Sequence, residues 1–384
     1  MLGSIVNDAG GDIRARADAA RSVESYASSD AGYADSTASA FGESVAEAVG
    51  LELRLDGISG NVTNDGAVVA EAYASLTGES HAEATGEPGE FSIANVVGET
   101  RLDGDVEATA RGGILIADLV LGDVGVGETG GFAALANARM EATASAEGTL
   151  YGADAIATMG GESDVFASAI GYYVNVETIT GDYLNDGTLI GEAAATSSAD
   201  ANAVATNSGV DARAESEDAA SEARGNVVVV DVLTGRLANS SGESIEAYAS
   251  GVSAATAAAS GGEYGEAVAI SGNGEAGAVG LWVISDGVLG EGVENSGAIV
   301  AVADALSWAS ASNSTSQYLG GALAASGVAH ADAEGLLIEA EQIVGDVANS
   351  GLIVAEALGE SVASVDLTSG GEGGVGEAFS GPAI

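Results

Sequence analysis

Residues 343–357 read IVGDVANSGLIVAEA: a glycine, an apolar-x-Asn-x-Gly core, then a run in which apolar and small residues alternate. The core recurs as GNVTNDG at 60–66, GDYLNDG at 181–187, GRLANSS at 235–241, EGVENSG at 291–297 and GSIVNDA at 3–9. The asparagines are Asn7, Asn64, Asn185, Asn239, Asn295 and Asn349, at intervals of 57, 121, 54, 56 and 54. The double-length interval hides a degenerate copy, assigned to ARGGILIAD with Arg111 in the asparagine position. Seven copies of about 55 residues mark a repeat architecture, which grows by stacking rather than by adding domains.

Each copy closes on a glycine and an apolar strand: GLELRL from Gly50, GYYVNV from Gly171, GNVVVVDV from Gly225, GLWVIS from Gly280 and GLLIEA from Gly335. These glycines precede the next asparagine by 14, 14, 14, 15 and 14 residues, a register too regular for chance. Between the anchors, small residues alternate with polar ones. That two-residue period argues strand, although alanine by itself favours helix. After the anchor the inward set is one branched residue and then small ones, as in Val68-Ala70-Ala72, Leu189-Gly191-Ala193 and Ile353-Ala355-Ala357. The sequence therefore predicts an all-β parallel β-solenoid over 1–384, with a thin Ala/Val/Ile core and an irregularity near 101–140, where Asn137 is a candidate second anchor.

The formal charge is −48, from 58 acids against 10 arginines, with no lysine. Such a surface repels phosphates and anionic lipid, so nucleic acid and membrane insertion are not expected. Disorder needs low hydrophobicity as well as charge, and 46% of these residues are apolar. There is no cysteine, so no disulfide or thiolate metal site, and no apolar run of 18 residues. The opening MLGSIVNDAGG shows neither the basic region nor the apolar core of a secretion leader.

In a parallel solenoid, stacked asparagines hydrogen-bond along the axis, and the glycine two residues on suits a turn of positive φ. Seven residues past the anchor stand Glu71, Glu192, Glu246 and Glu356, with Asp118 in reach and Arg14 and Val302 as breaks. This column is read as a solvated acidic face or, alternatively, as a row of oxygen ligands for Ca²⁺. His81 and His330 lie at different offsets from their anchors and read as surface or edge residues. Tyr73 and Tyr248 share an EAYAS context nine residues past theirs, suggesting a short ladder or adhesive spot. Trp282 and Trp308 are solitary and assigned to packing. No nucleophile is nominated, and no enzyme is expected.

The NxG turn followed by an alternating Ile/Val-Ala strand resembles the repeats of bacterial β-solenoid surface proteins, the filamentous-haemagglutinin-like adhesins and autotransporter passengers. The resemblance implies a right-handed parallel β-helix with an extracellular adhesive or structural role. This chain's repeat is long for those families, enough for one large rung or two to three smaller ones. It also shows no secretion domain or translocator barrel.

Gly3 and Ile5 match Gly60 and Val62, and Gly381 is read as the closing glycine of the last copy. On that alignment the two ends, Leu2, Gly3 and Ile5 at one and Gly381 and Ile384 at the other, are complementary parts of one repeat. The expected function is an extracellular structural subunit that joins head to tail with itself, through open solenoid ends or a donated N-terminal strand. The alternative is a segment of a larger cell-surface adhesin with surface or matrix contacts.

Overall fold

The computed structural model describes residues 3–30, 33–85, 95–149, 152–160, 164–206, 208–261, 263–315, 320–369 and 374–384, with Asn95 described in its backbone only. Four parallel sheets carry the fold, and among the described residues there is no helix. Each repeat is one large rung. It runs through a strand of three or four residues, one of eighteen, one of five to nine and one of fifteen or sixteen, then steps up to the next, except that the last coil reaches the fourth sheet only through a bridge at Ala383. We call these the short, broad, third and bent sheets. Seven coils result, spanning 5–58, 62–120, 124–179, 183–233, 237–289, 292–343 and 346–384. At about 4.8 Å per rung and 3.3 Å per residue, the stack is roughly 30 Å tall, and its broad sheet roughly 60 Å wide.

The alanine periodicity is the reason for strand. In the broad strand Ala67–Ala84, alternate residues from Val68 to Ala84 point inward, and most are alanine. Their partners on the third sheet and on the first half of the bent sheet are equally small, such as Ala155 and Ala108. Two sheets of small side chains close into a thin layer with no room for a helix.

At the other end of each rung the section widens. The short strand, the second half of the bent strand and the first inward residue of the broad strand enclose a prism of branched and aromatic residues. Leu115, Val124, Phe132, Ile179 and Leu189 are among them. The bent strand serves both compartments by changing phase. In Val106–Val120, Ala108 and Ala110 face the alanine layer, and Leu115 and Ala117 face the prism.

The phase changes at the closing glycine, and the reason is contact. A Cβ on Gly171 would lie 2.5 Å from the Gly225 carbonyl oxygen and 2.8 Å from that of Ile190, so only glycine lets the bent sheet touch the broad one. The glycine column is the wall between prism and layer.

Several expectations are corrected by the register. The hidden anchor is Val126 in the short strand Val124–Val126, which pairs with Asn64 on one side and Asn185 on the other. Arg111 lies on the bent sheet, between Val49 and Ile170. Asn137 sits mid-strand on the broad sheet, between Tyr73 and Ala194, and is no anchor. The glycines after the asparagines, Gly66, Gly187, Gly297 and Gly351, do not adopt positive φ. They are glycine because a Cβ would strike the backbone of the coil below.

Gly381 packs on Gly327, eight residues short of the closing glycine Gly335. Ala383 nevertheless bridges to Ala329, where the bent strand begins. Residues 3–7 form a turn and the short strand Ile5–Asn7, not the end of a bent strand. Leu2 lies outside the described residues.

Candidate functional site

The asparagine column is a hydrogen-bonded ladder inside the prism wall. Asn7 Nδ2 donates to Asn64 Oδ1 at 2.7 Å, Asn185 to Asn239 and Asn239 to Asn295 at 2.8 Å, and Asn295 to Asn349 at 2.7 Å. Val126 interrupts it, and Asn64 Nδ2 turns instead to the Gly131 carbonyl oxygen at 3.2 Å. A second staircase runs along the turn before the short strand. The Asp123, Asp182 and Arg236 backbone N–H groups each reach the side-chain oxygen of the coil below, on Asn61, Asp123 and Asp182, at 3.0 Å. Both devices are directional; the ladder breaks at Val126, and the staircase stops at Arg236, since the next member of its column is Gly292.

The four glutamates do not form a ladder. The broad-sheet register gives the column Arg16, Glu71, Leu135, Glu192, Tyr248, Val302, Glu356, so no two neighbouring coils both carry acids there. Glu246 stands two positions earlier, between Ile190 and Val300, and Asp118 is on the bent sheet. Arg16, not Arg14, is the column's first member, and its guanidinium lies 3.6 Å from Glu71 and 4.8 Å from the Tyr73 ring centre. Among the described residues no group of three or more acids or histidines is arranged to hold a metal ion.

Other chemistry-bearing residues are scattered over the outer faces. His81 stacks on Tyr26 with ring centres 5.3 Å apart, and its Nδ1 lies 2.5 Å from Ser145 Oγ. His330 pairs with Glu275, well away from it. Tyr73 and Tyr248 fall in different columns three coils apart. Trp282 and Trp308 occupy outward positions, and Arg224 sits 5.4 Å from the Trp282 ring centre.

At the turn between the third and bent sheets, burial pushes Glu217 up to about 7, and Asp218, Asp164 and Glu215 add to the shift. On the third sheet Asp154, Asp211 and Glu266 stack on successive coils. Burial raises Asp154 above the usual carboxylate range, with Asp211 contributing.

The faces of the first and last coils stand apart from the rest. In the column Ile13, Val68, Phe132, Leu189, Ile245, Ile299, Ile353, the inner members are buried, but Ile353 is 36% exposed. Leu352, Val347 and Val375 on the same face are 58%, 54% and 62% exposed. At the opposite end the prism holds a cavity of about 240 Å³, walled by Ile5, Ile13, Leu51, Leu53, Phe132 and Tyr172. Sequence reasoning placed Gly3, Ile5 and Ile384 at these faces. It missed the exposed apolar edge of the broad strand Leu352–Ser369, which alternation alone could have shown.

No known protein family, curated protein sequence or solved structure matches this chain.

Proposed function

We propose that this is an extracellular structural protein whose unit of construction is the coil, and that copies join coil on coil into a filament. The observation that carries the reading is the last coil's face. Its column residues are the same types that are buried one rung below, but here they meet water. An unpaired edge with an apolar inward face is a template for another strand, and a contact that repeats head to tail without closing builds a fibre. The extracellular setting is supported by the resemblance to surface solenoids. The acidic, lysine-free exterior suits a fibre that must not clump sideways.

A second reading has a specific observation behind it. The coil-to-coil register is so uniform that the next coil is equally well supplied by more repeats of a longer surface adhesin.

Negative-stain electron microscopy, with calcium and with chelator, tests the proposal. Uniform fibres in both conditions are expected, and loss of the fibres in chelator assigns calcium a role at the junction. Discrete particles about one solenoid tall, at every protein concentration tried, would remove the filament reading and leave the adhesin segment.

A further inference from the structure

We infer that the outer face of coil seven receives coil one of a second copy, in the same register that joins successive coils within the chain. This rests on the coil-stacking reading above and specifies its junction.

Carrying the register of the broad sheet one rung further sets Leu352–Ser369 against Asp12–Ser29 of the next copy. Inward, Ile353 then meets Ile13, Ala355 meets Ala15 and Ala357 meets Ala17, the like-on-like pairing of the interior coils. On the short sheet Val347 meets Ile5. Val347 and Ile353 thus extend the two columns whose first-coil members, Ile5 and Ile13, wall the prism cavity.

The polar devices fit the same register. Asn349 accepts from Asn295, and in this register its Nδ2 faces the next copy's Asn7 Oδ1, continuing the ladder. Asp346 occupies the staircase column, so its carboxylate is set to accept the Ser4 N–H. The third sheet continues from 374–379 onto 34–39, and the bent sheet joins through Ala383 and Ile384.

Charge chooses the same partner. Four of the ten arginines, Arg14, Arg16, Arg21 and Arg54, belong to coil one, and none follows Arg236. Glu356 therefore has no arginine in the last three coils to pair with. In the junction it stands opposite Arg16, which is already paired with Asp18 of its own strand at 2.9 Å and would then lie between Glu356 below and Glu71 above. Both end coils remain net acidic, so screening by salt favours the contact.

One residue opposes it. Arg21 takes an inward position of the broad strand and donates to the Phe41 carbonyl oxygen at 3.0 Å. In the same column Ser253, Ser307 and Ser361 each donate to a carbonyl oxygen of the equivalent turn, on Glu217, Gly272 and Gly327, at 2.8 Å. Arg21 thus does the serines' work with a charge, which the junction must desolvate. That cost sets a limit on how tightly the copies hold.

The chain has no cysteine, so paired thiols read the register directly. Arg16→Cys and Glu356→Cys proteins, each altered at an outward position, are mixed in about 1 M NaCl and oxidised. Disulfide-linked heterodimers are expected from this pair only, at least about ten-fold above the Arg14→Cys plus Glu356→Cys mixture, whose thiols would sit out of register. Crosslinking through Arg14→Cys, or between copies of Arg16→Cys, overturns the junction. So does the absence of crosslinks while light scattering still shows long particles. Absence of both particles and crosslinks overturns the coil-stacking reading itself.

Discussion

Asn185 and Asn239 are 54 residues apart in the chain, yet the amide of one donates to the amide oxygen of the other at 2.8 Å in a buried column. Replacing Asn239 by Ala strands a donor on Asn185 and an acceptor on Asn295. An unsatisfied buried polar group costs about 1–3 kcal/mol. Asn239→Ala should therefore lower stability by about 2 kcal/mol or more, seen as an earlier urea midpoint. Val126→Asn should do the reverse, because it closes the break and gives Asn64 Nδ2 a ladder partner, a gain of about 1 kcal/mol. Equal destabilisation by both variants would show that the ladder is not what the column contributes.

Two glycines on the same sheet should respond oppositely to alanine. At Gly171 the added methyl would meet the Gly225 and Ile190 carbonyl oxygens at 2.5 and 2.8 Å, which is backbone that cannot yield cheaply. Overpacking of this kind costs about 1–3 kcal/mol. At Gly277 the nearest atom is 4.0 Å away, and alanine restricts the unfolded chain, so stability should hold or rise by about 0.5 kcal/mol. Thermal midpoints decide it, and a Gly171→Ala protein as stable as the parent would contradict the close approach.

The Glu217 carboxyl, raised to about 7 by burial and by Asp218, Asp164 and Glu215, gives a pH prediction. Between its ordinary value of 4.5 and about 7 the folded state holds a proton that the unfolded state has released. Stability from this group is complete below 4.5 and is lost as pH rises through 7. Glu217→Gln should flatten that part of the stability–pH curve and leave the protein more stable than the parent at pH 8. An unchanged slope would mean that the carboxyl is ionised throughout.

Arg21 predicts an assembly change in the less usual direction. Arg21→Ser gives coil one the residue type that this column carries in coils four to seven, and removes a charge from the proposed junction. Longer particles at lower protein concentration are expected in analytical ultracentrifugation. Shorter ones would mean that the arginine holds the first coil together rather than limiting its partner.

The fold was legible because its two periods are carried by different residues: alternation by alanine, and the rung by Asn and the closing glycine. The site was less so, and the turn after the short strand explains why. From anchor to broad strand the chain takes three residues in coils two, four, six and seven, as from Asn64 to Ala67. It takes five in coils one, three and five, as from Asn239 to Ser244. Counting from the anchor therefore shifts Glu246 and Tyr248 by two positions, which keeps them on the correct face but in the wrong column. Two of the three longer turns carry Gly10 and Gly242 at φ of 88° and 96°, and those glycines mark the insertion in coils one and five. Val126 escaped for another reason: valine fills the asparagine position. Yet GDVGV at 122–126 repeats the Gly-Asp of GDYLN at 181–185, a signal in plain view.

The wide, shallow rung also sets how the molecule carries load. Its backbone hydrogen bonds run along the stacking axis, so tension on that axis meets one rung at a time. Each rung up to the sixth answers with every pair of four sheets acting together. Tension along the broad strands instead shears eighteen-residue partners past one another in register. A fibre of such discs would be stiff across its width and would part, when it parts, cleanly between coils.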